Sequence, residues 1–167
     1  GRGGPVGRGT RVGKSNDNPT PGAPVCEIKG TCNYMFTDKL GRTGPVTVNL
    51  PPGYRNDANK DVRYPVIYMM HGYGQTPEDL GAAIIFIGNW MNSGADSVDT
   101  RLSKAIMVYV DGRCRIDGKG QPECLNGTFY VDGPGDGAKL ESWMLDMMGD
   151  IDTKFRTMGE SEVDWPE

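Results

Sequence analysis

Two runs without a charged side chain, YPVIYMM at 64–70 and AIMVYV at 105–110, limit the folds open to this chain more than any other feature. Both are rich in β-branched and aromatic residues, too short to cross a membrane, and apolar at every position. A strand of that kind is buried on both faces. Between them Thr76 has the character of a helix N-cap and Pro77 that of a first helical residue, opening a helix through GAAIIFIGNWMN that stops near Ser93-Gly94. Strand, helix, strand is the βαβ rhythm of a parallel sheet.

The flanking segments are of other kinds. CEIKGTCNYMF and VTVNL alternate as short strands around a turn at DKLGRTG, and Pro51, Pro52 and Gly53 close the second. A polar loop, YRNDANKDVR, leads to the first apolar run. Residues 112–138 carry seven glycines and predict a long irregular stretch, of the length that is usually either functional or disordered. In KLESWMLDMMGDIDTKFRT, the residues Leu140, Trp143, Met144, Met147, Ile151 and Phe155 recur at three- and four-residue spacing, predicting an amphipathic helix. Residues 1–25 hold almost nothing to bury and read as a flexible Gly/Pro-rich leader.

Charge excludes one class of partner. The net charge is −4, yet residues 1–25 carry Arg2, Arg8, Arg11 and Lys14 against Asp17 alone, leaving the remainder near −7. A nucleic-acid binder concentrates positive charge on its folded part, so no nucleic-acid partner is expected. No membrane span is expected either, since no run approaches the roughly 20 apolar residues required. Cys26, Cys32, Cys114 and Cys124 lack the close-pair spacing of a zinc site and the single histidine adds none, so no metal is expected and disulfides are. Four cysteines allow three connectivities, among them Cys26–Cys32 with Cys114–Cys124. Disulfides imply an oxidising compartment, secreted or periplasmic.

Three segments, in this order, carry a resemblance: VTVNLPPGY followed by YPVIYMMHGYGQTPEDL; AIMVYVDG; and GTFYVDGP followed by ESWMLDMMGDIDTKFRT. Together they resemble the esterase D-like branch of the α/β-hydrolases, which includes feruloyl and acetylxylan esterases. Val110 stands where that family has proline before Asp-Gly, and Phe155 where it commonly has tyrosine. The resemblance implies an α/β fold: a mostly parallel sheet with helices on both faces. Residues 26–167 would form the N-terminal portion of the hydrolase domain, ending before the nucleophile elbow.

Ester hydrolysis by serine acyl transfer needs a nucleophile on a sharp elbow, a histidine base, an orienting acid and two oxyanion donors. The elbow pattern G-x-S-x-G does not occur here. In the family it follows the last helix, with acid and base later still, so the triad is not expected in this chain. The resemblance implies one catalytic contribution, the backbone N–H of Tyr73 as half of the oxyanion hole, with Gly72 beside it. Phe129 and Tyr130 are candidate substrate-binding walls. His71, the one histidine, reads as a strand-ending turn residue rather than the base. Asp111, Asp117, Asp132 and Asp136 lack the order of a calcium loop and read as turn formers, and Asn126-Gly127-Thr128 fits a glycosylation acceptor.

No cofactor is implied. The expected partners are a small-molecule or polysaccharide-linked ester and a C-terminal chain completing the domain. The competing expectation is a non-catalytic carbohydrate- or protein-binding module on a hydrolase-like scaffold.

Overall fold

The computed structural model describes residues 23–27, 30–72, 75–92, 103–124, 128–135 and 137–159. Within them run β1 (Val25–Cys26), β2 (Thr31–Thr37), β3 (Thr43–Asn49), β4 (Val66–Met70), α1 (Gly81–Asn92), β5 (Ile106–Val110) and α2 (Leu140–Lys154). The strands form one sheet in the order β1-β2-β3-β5-β4.

That topology overturns the expected mostly parallel sheet flanked by helices. Three of the four strand pairings are antiparallel and only β4 with β5 is parallel; α1 and α2 are the two α-helices among the described residues. Connection length is the reason within β1, β2 and β3. A parallel neighbour needs a crossover of roughly a dozen residues or more, which β4 and β5 obtain through α1. β2 and β3 are joined by residues 38–42 alone, too few for anything but a direct return. The βαβ rhythm therefore governs one pair of strands, not the sheet.

The return is fixed from within. Asp38 Oδ1 accepts the N–H groups of Leu40 and Arg42 at 2.9 and 2.8 Å, and its Oδ2 takes Arg42 Nε at 2.6 Å. Gly41 supplies the positive φ of 78° that the turn demands. A disulfide between Cys26 and Cys32 joins β1 to β2 at paired positions of the ladder.

Alternation along the strands sorts the core into two clusters. Cys32, Tyr34, Phe36, Val46, Val48, Ile106, Val108 and Val110 face one way and pack with α2 through Leu140, Trp143, Met144, Met147 and Ile151. That is the apolar stripe predicted for this helix. Met107 and Tyr109 face the other way and, with Met69, meet Ile84, Ile87 and Met91 of α1. β5 is buried at all five positions, which explains its unbroken apolar sequence.

β4 departs from its expected central place. Among the described residues it is an edge strand, as β1 is at the other side, with Ile67 40% and Met70 49% exposed. Its beginning is nevertheless tied to the end of α2. Tyr64 donates to Arg156 O at 2.9 Å and accepts from the Met158 N–H at 2.9 Å, forming a parallel bridge with Thr157.

Candidate functional site

Because β4 and β5 run parallel and Met70 pairs with Val110, the residues that leave them, His71 and Asp111, emerge side by side. The carboxyl end of adjacent parallel strands is where open α/β sheets bind ligands. Both residues are buried here, His71 at 8% and Asp111 at 1% exposure.

His71 bridges the two loops. Its Nε2 accepts the Gly112 N–H at 2.9 Å and its Nδ1 lies 3.0 Å from Gly72 O. Gly72 donates its N–H to Gln75 Oε1 at 2.8 Å and accepts the Gln75 N–H at 3.1 Å. Gly112 is clamped on its other side, where its carbonyl accepts from both the N–H and the hydroxyl of Thr128, at 2.9 and 3.0 Å. Tyr130, at a positive φ of 59°, lays its ring over Gly112 and donates its hydroxyl to His71 O at 3.1 Å.

Beneath this layer lies a charge cluster in which Asp111 and Arg115 are buried and Arg113 is exposed. Asp111 accepts from Arg113 Nε at 2.8 Å and from the Arg113 N–H at 2.9 Å. Burial raises the Asp111 carboxyl, but the hydrogen bonds from Arg113 and the charges of Arg115 and Arg113 outweigh it and hold the group below the ordinary carboxylate range. Arg115, 1% exposed, stacks on Trp143 at 4.6 Å and donates to the carbonyls of Asp111 and Arg113. The Cys114–Cys124 disulfide closes this loop, reinforced by the Glu123 N–H to Arg115 O at 3.0 Å.

The expected site residues are distributed unevenly. Tyr73 lies outside the described residues, as do Asn126, Gly127 and Asp136; Gly72 is described and follows β4 directly after His71. Phe129 is 83% exposed, while Tyr130 turns its ring onto Gly112. Asp117 accepts the N–H groups of Lys119 and Gln121 in a turn, and Asp132 caps α2 through the Ser142 N–H at 3.0 Å. Among the described residues no group of three or more His, Cys, Asp or Glu could hold a metal ion, and no helix is long and apolar enough to cross a membrane.

The imidazole's two-sided grip, the Thr128 clamp and the buried Arg115 are absent from the sequence reading. A lone histidine directly after an apolar strand was the available signal for the first. Nothing marks Arg115 as the buried one among its neighbours. A separate groove of about 650 Å³ lies at the opposite end of the sheet, between residues 49–56 and α1, walled by Asn49, Tyr54, Arg55, Asn56, Ile85 and Asn89.

The fold is similar to that of a solved ferulic acid esterase, with 24% identity and a TM-score of 0.56 over 77% of this chain and 44% of that one. The chain thus spans less than half of that structure's length. No family model matches the chain, and none of the curated proteins does.

Proposed function

We propose that this chain is the N-terminal part of a secreted carboxylic-ester hydrolase of the esterase D-like type, acting by serine acyl transfer on small or polysaccharide-linked acyl esters. The observation that carries the reading is the fold likeness to a ferulic acid esterase. The order of VTVNLPPGY, His71-Gly72 and AIMVYVDG along the chain supports it, and the two disulfides suit an oxidising compartment. In this reading Tyr73 contributes one backbone N–H to the oxyanion hole, a donor whose loss typically costs about 10²–10³ in rate. The second donor, the nucleophile, the base and its acid come from a C-terminal chain. That chain would cover the outer edge of β4 and the exposed Ile85 and Phe86 of α1, which a soluble surface rarely leaves open together.

A fluorophosphonate probe, which reacts with activated serine nucleophiles, tests this on protein isolated from its native source. Labelling is expected on a segment or second chain carrying G-x-S-x-G, with intact mass above the 18.1 kDa of these residues, and none on residues 1–167. Turnover of p-nitrophenyl acetate by the purified 167-residue chain, above a Tyr73→Pro control, contradicts the reading. The second reading, a non-catalytic binding module, draws on the groove beside α1, whose amide and guanidinium groups suit hydroxyl-rich ligands. It predicts polysaccharide binding by native protein that never reacts with the probe.

A further inference from the structure

The donor facing His71 Nε2 is the Gly112 backbone N–H, at 2.9 Å, so that nitrogen must carry a lone pair. In a neutral imidazole the hydrogen then sits on Nδ1, where it is aimed at Gly72 O, 3.0 Å away. The same carbonyl accepts the Gln75 N–H. The peptide unit that Gly72 shares with the next residue is thereby held at its oxygen by two donors.

We propose that His71 is a positioning residue: in its neutral Nδ1–H form it holds the Gly72 carbonyl and couples it to the Gly112 loop. The imidazole acts through the Gly72 carbonyl it holds. The catalytic purpose rests on the esterase reading above, whereas the clip does not. The charged and titratable groups around the ring are the Asp111 carboxylate, 3.7 Å from Nε2, with Arg113 and Arg115 bound to it, and Tyr130, whose ring meets the imidazole edge-on at 5.9 Å.

His71 is the only histidine in the chain, so nitrogen NMR on histidine-labelled protein reads it without assignment. In the neutral imidazole the hydrogen is expected on Nδ1. His71→Asn, which retains a donor toward Gly72 and loses the acceptor for Gly112, is expected to speed Gly112 amide exchange roughly two- to tenfold. His71→Gln, which can still accept, is expected to restore protection. A hydrogen on Nε2, or Gly112 exchange unchanged in His71→Asn, overturns the clip; if both variants fail to fold, the wild-type tautomer decides alone. In the probe-reactive native assembly, His71→Asn is expected to lower kcat per labelled site roughly a hundredfold with KM held. Loss of sites at unchanged kcat overturns the positioning role, while an Nδ1–H tautomer in a protein without esterase activity leaves the clip and removes that purpose.

Discussion

A methyl group added at Gly112 would meet the Tyr130 ring at 2.7 Å. Gly112→Ala is therefore expected to push the ring off His71 O and to cost about 1–3 kcal/mol, read as a lower urea midpoint. Tyr130→Phe, which removes only the hydroxyl, should cost about 1 kcal/mol. Asp111 adds a pH signature. Its carboxyl is held below the ordinary value by Arg113 and Arg115 against the opposing effect of burial, so its contribution is full above the unfolded value of ~3.9 and is lost as pH falls through the folded one. Urea midpoints measured from neutral to acid pH should drop in that window, and Asp111→Asn should flatten the drop while lowering the neutral plateau. None of this was legible in the residues 71–72 and 111–112 taken as text, where His-Gly and Asp-Gly read as strand-ending turns. Turns they are, but the hydrogen bonds joining them depend on β4 and β5 being neighbours, a fact of pairing rather than of local sequence.

Among the elements, α2 was the most legible, because helical spacing is a local property: Leu140, Trp143, Met144, Met147 and Ile151 were predicted inward and are buried. Trp143→Ala is expected to cost about 3–5 kcal/mol, since Trp143 is fully buried, donates its indole N–H to Arg42 O at 3.1 Å and supports Arg115. Leu145→Ala, at a position 63% exposed, should stay within about 0.5 kcal/mol; matched chemical melts compare the two. The strands were legible as strands but not in their arrangement. Both apolar runs look equally central in sequence, yet β5 has neighbours on both edges and β4 on one. An unbroken apolar run reports burial of faces and is silent about edges.

For the whole molecule, the mostly parallel expectation failed because one βαβ unit was allowed to stand for five strands, although the short links among β1, β2 and β3 already required antiparallel returns. The cysteines were read as disulfides, with pairing left open among three choices; each bond joins neighbours in sequence, closing spans of six and ten residues. Small loops remove modest entropy from the unfolded chain, and Cys114→Ser/Cys124→Ser should cost about 2–3 kcal/mol, checked by thermal melts against wild type. β3 has a further consequence through its two partners. On one side it pairs with β2 across the turn at 38–42, and on the other it pairs Val46 with Val110, 64 positions away. Hairpins close in microseconds, whereas long loops must lose entropy before their contacts form. The β2–β3 hairpin should therefore acquire protection early in refolding, and β5 should join only when α1 has brought it round, so that pulse-labelled amides of β3 would be sealed on one edge before the other.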